Sequence, residues 1–394
     1  EGFLFDNTPE AVFTGCLLLF LAMMTLVTVS AHLGLLWVAV EATTLSSAPL
    51  IFYHRHHRSL EATWKYLLIC SVGIALALMG NFALAAGFSE GTAISLHLED
   101  LLTQASSLNP RWLQAAFILM LVGYGTKMGL APMHTWLPDA HSEAPSVVSA
   151  LLSGALLNCA FLAVLRILQV CAHAGCAAFG QELLLGFGLL SIALATIFIV
   201  GQLDYKRLLA YSSVEHVGIL ALGVGLGGIG SFGAMLHAVN HSLTKAMLFL
   251  LSGNILAVYR SKACGDVRGL ARLLPATGLF WIAGLLAITG SPPFGVFLSE
   301  FTILKAAIDQ GHAWVAVVFL VLLAIIFIAM STSFLSMSQG VAPPVLANRT
   351  ERDTVWSILP PAALGTAVLV LGIYIPPFVR ELLEEAAHLM EGGS

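Results

Sequence analysis

Residues 237 to 245 read HAVNHSLTK, which places His237, His241 and Lys245 four residues apart inside an otherwise apolar run. At about 100° per residue the three fall on one drifting stripe of a helix. Other titratable residues sit in equally apolar surroundings: Glu41, Lys127, Glu215, His216, Glu300 and Lys305. A charged side chain at a bilayer centre costs roughly 3 kcal/mol on insertion scales, so such groups face protein or water and mark a pathway. Histidine suits proton transfer because its ordinary pKa lies near 6.5, and burial disfavours the charged form of lysine, so its proton becomes exchangeable. A nearby carboxylate, with Glu41 or Glu300 the candidate for Lys245, would hold that proton again. Pairing and unpairing then act as a switch. The alternative use of these histidines is interhelical hydrogen bonding with no part in transport.

The elements that must position these groups are membrane helices. Hydrophobic residues make up 58% of the 394 residues and charged ones only 10%, a balance that excludes an ordinary soluble domain. Apolar stretches of about 20 residues, each long enough to cross a hydrocarbon core of about 30 Å, recur along the chain. Eleven are expected, near 12–30, 32–53, 64–87, 113–132, 145–171, 183–203, 206–226, 231–258, 275–309, 313–337 and 357–376. The polar connections near 88–112 and 338–356 are too short to fold alone. The six cysteines are scattered, so neither a zinc framework nor a disulfide framework is expected, and Cys171 and Cys176 read as unpaired small hydrophobes. No signal peptide precedes the first span, and because the chain opens on Glu1 rather than methionine, further sequence upstream is expected.

Counting spans alternately puts Arg55, Arg58, Lys65, Lys206, Arg207, Arg260, Lys262, Arg268, Arg272, Arg349 and Arg352 on the side of the amino terminus. Arg111 and Arg380, with Arg166 near a helix end, fall on the other side. Positive charge gathers on the cytoplasmic side, so the amino terminus is expected inside and the carboxyl terminus outside. The cluster YHRHHR at 53–58 then reads as a headgroup anchor rather than a metal site.

Two stretches cannot continue a regular helix. GTKMGLAPMHTWLPDAHSEAP contains Gly129, Pro132, Pro138 and Pro145, and ITGSPPFGVFLSEF contains Pro292 and Pro293. Each is the fourth helix of a group of five. The organisation expected is therefore a first five-helix repeat over 1–180, a second over 181–340 inverted because five is odd, and a C-terminal transmembrane helix with a tail over 341–394. Matched broken helices of this kind place ion sites near the bilayer midplane, and Lys127 precedes the first break as Glu300 follows the second.

The runs GTKMGLAPMHTWLPDAHSEAPSVVSALLSGALLNCAFLAVLR (125–166), DYKRLLAYSSVEHVGIL (204–220), HAVNHSLTKAMLFLLSGNI (237–255) and GSPPFGVFLSEFTIL (290–304) resemble the antiporter-like membrane subunits of respiratory complex I and of Mrp-type cation/proton antiporters. The resemblance is strongest to hydrogenase-4 component F of membrane-bound group 4 nickel-iron hydrogenases. It implies that Glu41 and Lys127 form a switching pair, that Lys206 and His216 lie on a central polar axis, that Lys245 is its central lysine, and that Glu300 feeds an outer half-channel. Two departures stand out. Asn158 occupies a place where many relatives carry a lysine or histidine, and about three helices usual at the start of the family have no counterpart here.

The expected function is movement of protons, or of sodium, by an antiporter-like subunit of a membrane-bound oxidoreductase complex in a prokaryotic inner membrane. The chain shows no phosphate loop, metal-ligand cluster or nucleophile constellation. Iron-sulfur clusters, a nickel-iron centre or flavin are therefore expected only in partners, namely a peripheral redox arm beside other antiporter-like and small membrane subunits. A stand-alone cation/proton antiporter and a non-pumping scaffold are the alternatives.

Overall fold

Helices dominate because the spans are rich in leucine, alanine and phenylalanine, and because in lipid a backbone must satisfy its own hydrogen bonds. The computed structural model describes residues 10–88, 94–343 and 353–390. In chain order the helices are α1 (Glu10–Val29), α2 (Leu33–Ile51), α3 (His57–Ala86), the short α4 (Leu98–Gln104), α5 (Pro110–Met128), α6 (Trp136–Glu143), α7 (Ser146–His173), α8 (Ala177–Ile199), α9 (Tyr205–Leu226) and α10 (Ile229–Tyr259). They continue with α11 (Pro275–Ile288), α12 (Gly295–Asp309), α13 (Ala313–Ser338), α14 (Val355–Ile373) and α15 (Pro377–Met390). Among the described residues there is no strand, only two isolated bridges, His32 with His97 and Asp204 with Ala263. Each bridge joins connections that the charge count assigns to one side.

Nine of these helices are long and apolar enough to cross a membrane. The other two expected spans are the broken ones, α5 followed by α6 and α11 followed by α12. The breaks differ in detail from expectation. Pro138 does not interrupt anything: it is the third residue of α6, in the first turn, where a backbone amide has no helical partner to lose. The first break spans Gly129 to Thr135, and Gly129 takes a left-handed φ of 83° that ends α5. Both breaks contain a cis X–Pro bond, Ala131–Pro132 in one and Pro292–Pro293 in the other.

The described residues divide into two compact units. The first runs to Val148 and also takes Ala155–Leu183 and the end of the chain from His388; the second holds Ser149–Gly154 and the described part of Leu184–Ala387. Helix α14, placed in a separate C-terminal segment by sequence, lies in the second unit, where Gly372 rests directly on the backbone of Pro293 and Phe294. The expected tail is partly the helix α15, whose apolar residues Val379, Leu383 and Ala387 recur at helical spacing. The segment 344–352, with Arg349 and Arg352 of the charge count, lies outside the described residues.

The spans differ widely in burial. Of the spanning window of α9, 94% is buried, against 11% of that of α14. In the first unit α3 and α5 pack at backbone contact. A Cβ on Gly123 would stand 2.6 Å from Ala77 N and Gly73 O, and one on Gly73 would stand 2.7 Å from Thr126 Cβ. Small residues at a membrane helix interface allow this approach, and here it brings the α3 side chains to the end of α5. His56 accepts from Ser59 N at 3.0 Å to cap α3 and lies 3.4 Å from Glu143, so part of the HRHH cluster is built into the structure. All six cysteines are free.

Replacing Gly123 by alanine should destabilise the chain by about 1–3 kcal/mol, the usual cost of overpacking a tight contact. A lowered thermal unfolding midpoint in detergent checks this, whereas an unchanged midpoint would mean that α3 and α5 can separate freely.

Candidate functional site: two buried lysines and a histidine cluster

The first unit buries Lys127 completely, on the next-to-last residue of α5. Its ammonium donates to the Tyr66 hydroxyl at 2.5 Å and to Thr44 Oγ1 at 2.8 Å. The Tyr66 hydroxyl lies 2.7 Å from Ser47 Oγ. Thr44 in turn donates to Glu41 Oε2 at 3.4 Å, the long edge of a hydrogen bond, and Ser71 donates to Glu41 Oε1 at 2.9 Å. Lys127 and Glu41 are therefore not in direct contact. One hydroxyl separates them, and because it accepts from the lysine and donates to the acid, it is oriented for passage between the two.

The helix break serves this arrangement. With α5 ended at Met128, its last carbonyls lose their helical partners, and the Trp136 indole N–H returns from the far side of the break to donate to Thr126 O at 2.8 Å. The same indole ring lies 4.9 Å from the Tyr66 ring, so the residue that closes the break also backs the tyrosine that holds Lys127.

In the second unit Lys245 is likewise fully buried. Its ammonium donates to Leu209 O at 2.6 Å and to Ser212 Oγ, both on α9. Ser213, beside Ser212, lies 2.8 Å from Ser153 Oγ. Glu215, a carboxylate other than the Glu41 and Glu300 that the sequence offers, is within electrostatic reach of Lys245. Glu215 sits one helical turn along α9 from Ser212, and its Oε2 has no protein hydrogen bond.

His237, His241 and Lys245 all lie buried along α10. Neither ring nitrogen of His241 makes a protein hydrogen bond, so no bond runs through it from His237 to Lys245. The links instead cross to neighbouring helices. His216 Nδ1 lies 2.9 Å from His237 Nε2, and His237 Nδ1 lies 2.9 Å from Ser299 Oγ on α12. Since Ser299 donates its own proton to Val296 O at 2.8 Å, it must accept from His237. With Ser299 accepting, neutral His237 carries its proton on Nδ1 and presents the Nε2 lone pair to His216 Nδ1, while the backbone of Ile288 is a further hydrogen-bond partner of the His216 ring. His241 stacks parallel to His237, with ring centroids 6.3 Å apart, and its ring centre lies 5.0 Å from that of His216.

Glu300 on α12 completes the cluster. It is 6% exposed, its Oε1 has no protein partner, and its Oε2 lies against Gly290, where a Cβ would collide with it. Gly290 has φ of 63°, so glycine is required there twice over, by backbone and by the close approach. Asn240 is seated in the same way against Gly295. The broken segment Gly290–Gly295 is thus a cradle for polar side chains. His216, His237 and Glu300 each offer one ligand atom, all within 4.8 Å of one another.

Two expected residues lie apart from these clusters. Lys305 is not buried: it is on the outer face of α12, half-exposed and ion-paired to Asp309 one turn on, because position 305 is five residues from Glu300 and points away from it. Lys206 is buried in the first turn of α9, one turn before Leu209, behind a cap made by Asp204 Oδ1. Asn158 lies in α7 just past a π-helical turn at Leu152–Leu156. Sequence reasoning passed over Thr44, Tyr66, Ser71, Ser212, Asn240 and Ser299, since hydroxyls and amides carry no charge cost to mark them in an apolar span.

Residues 30–326 match the family described as NADH:quinone oxidoreductase/Mrp antiporter, TM. The chain is 36% identical to the hydrogenase-4 component F homolog of Methylacidiphilum infernorum over 93% of its own length and 77% of that protein's. Among solved structures it is similar to a chain of the membrane-bound sulfane sulfur reductase, an archaeal respiratory membrane complex, with a TM-score of 0.87 and 25% identity, covering 99% of this chain and 78% of that one. A chain of respiratory complex I from Thermus thermophilus gives a TM-score of 0.74 and 27% identity, covering 94% and 80%. On sequence and fold together, the chain belongs to the NADH:quinone oxidoreductase/Mrp antiporter transmembrane family, as an antiporter-like membrane subunit of the complex I, hydrogenase-4 and Mrp type.

Proposed function

We propose that this chain moves protons across a prokaryotic cytoplasmic membrane, through Lys127 and Glu41 in the first unit and Lys245, Glu215 and the histidine cluster in the second. The observation that carries this reading is the Lys127–Thr44–Glu41 chain. A buried ammonium held one oriented hydroxyl away from a carboxylate can pass to direct pairing by a small movement, which is what a switch needs and a static salt bridge lacks. Protons are favoured over sodium because the second cluster offers imidazole nitrogens, whereas hard cations take oxygen ligands.

The chain works as one subunit of a larger complex. Its relatives include a subunit of hydrogenase-4 and a chain of complex I, and redox cofactors would lie in partner subunits forming a peripheral arm. With the charge count, the amino terminus faces the cytoplasm and the carboxyl terminus the outside. Identification of the subunits that copurify with the chain tests this directly: a chain that runs alone in detergent and still exchanges Na+ for H+ in liposomes would sink the complex reading.

Lys245→Ala and Glu41→Ala should leave assembly intact and lower proton translocation by about a hundredfold, the low end of the loss when a positioned proton-transfer group is removed. Proton uptake by proteoliposomes or membrane vesicles is the measurement, and unchanged rates in both variants would end the pathway.

Thr44→Val keeps shape while deleting the hydroxyl between Lys127 and Glu41. It should slow translocation, with the same amount of assembled complex on blue-native gels. Lys305→Ala and Arg349→Ala should transport as the unsubstituted chain does; a loss with Lys305→Ala equal to that with Lys245→Ala would place the path elsewhere.

A further inference from the structure

The histidine cluster has a second chemical capacity. His216 on α9, His237 on α10 and Glu300 on α12 come from three helices, two of the residues fully buried and the third nearly so, and each presents a ligand atom within 4.8 Å of the others. Two imidazoles and one carboxylate are a donor set that zinc accepts with a fourth position left open. Calcium and magnesium are poorly served, since they take oxygen ligands. We propose that His216, His237 and Glu300 form a buried binding site for a borderline divalent transition-metal cation, best matched by Zn2+, which takes the place of the proton shared by the two imidazoles.

The geometry is close to what the metal needs. Tetrahedral zinc at about 2.0–2.1 Å from two nitrogens holds them about 3.3 Å apart. His216 Nδ1 and His237 Nε2 are 2.9 Å apart, so a separation of a few tenths of an ångström turns their hydrogen bond into a metal bridge. The tautomers allow it. His237 already points a lone pair from Nε2, because its Nδ1 proton is given to Ser299. His216 needs only to carry its proton on Nε2 instead of Nδ1, and the backbone of Ile288 is a hydrogen-bond partner of this ring that can hold it. Glu300 can turn Oε1 toward the metal without breaking a protein bond.

The surroundings complete the site. Ser299 orients His237 from behind, as the outer partners of metal-bound histidines do. His241 lies with its ring centre 5.0 Å from that of His216 and walls the site on that side, and the fourth position stays open. Glu215, within electrostatic reach of Glu300, brings a second carboxylate to offset the dication, and Lys245, held by Ser212, opposes it. No residue spacing announces this set, because each ligand comes from a different helix.

Binding is measured without reference to transport, so this site stands or falls separately from the proton path. Full-length chain, purified in detergent with whatever it assembles with, is titrated with Co2+ as the spectroscopic probe and with Zn2+ to displace it. The surface histidines His54, His56 and His57 are first replaced by glutamine, to remove ordinary surface binding. One cation per chain with the intense visible absorption of a four-coordinate nitrogen and oxygen site is expected, displaced by Zn2+ and not by Mg2+. His237→Gln should abolish that absorption in protein that still elutes as a single symmetrical peak. Ser299→Ala, which keeps every ligand, should weaken binding by about tenfold or more. A pale six-coordinate spectrum in the starting protein, no saturable uptake, or undiminished absorption in His237→Gln would each overturn the proposal, the first two without reliance on how the variants fold.

Discussion

The structure turns on housing an ammonium group where neither bulk water nor a directly bonded carboxylate meets it. Lys127 and Lys245 are both fully buried, and both are held by hydroxyls and a carbonyl rather than by a salt bridge. A buried unpaired charge costs several kcal/mol, while a close ion pair in a low-dielectric interior is hard to separate again. Hydroxyl coordination lies between the two. It satisfies the donors of the charged form and still leaves the acid, Glu41 or Glu215, near enough to respond.

That compromise constrains the helices around it. The lysine side chain must meet short hydroxyl side chains on neighbouring helices, so the backbones have to run close. In the first unit the facing Gly73 and Gly123 permit it; in the second, a Cβ on Gly230 would stand 2.7 Å from Gly223 O, so α10 runs against α9 at backbone contact. The two most apolar spans, α13 and α1, have little buried surface, whereas α9, one of the two least apolar, is almost entirely enclosed. Membrane association without a hydrophobic driving force favours this order, with small residues and hydrogen bonds inside and bulky apolar chains outside.

Much of the fold was legible because hydropathy has a single meaning in a chain this apolar. Span positions, the two interruptions and the burial of Lys127 and Lys245 could be read from residue type and spacing, while the burial of Lys206 could not. Pairing could not. The sequence offers Glu41 or Glu300 as the acid for Lys245 because those carboxylates occupy apolar spans, whereas Glu215 comes within its electrostatic reach only through the packing of α9 against α10. Lys305 was misjudged for a related reason: an apolar neighbourhood in sequence says nothing about which face of α12 is turned outward, and here the pair with Asp309 marks that face. Pro138 misled because a proline breaks a helix only past its first turn. The amphipathic period of α15 was present in FVRELLEEAAHLM and passed over only because the stretch followed the last long apolar span.

The two units solve a like problem with different chemistry. Around Lys127 the relay groups are hydroxyls from Thr44, Tyr66, Ser47 and Ser71. Such groups hand on a proton only by turning, so direction there depends on movement between Lys127 and Glu41. Around His237 the groups are imidazoles, which can accept a proton on one nitrogen and release it from the other without leaving their place. Movement is then needed mainly at the ends, and Glu300, with Oε2 resting against a glycine at a helix break and Oε1 without a protein partner, is the group with room to swing. The break therefore does more than interrupt a helix: by removing a Cβ at Gly290 it leaves the carboxylate a seat, and by ending α11 there it frees that seat from the rigidity of a continuous helix.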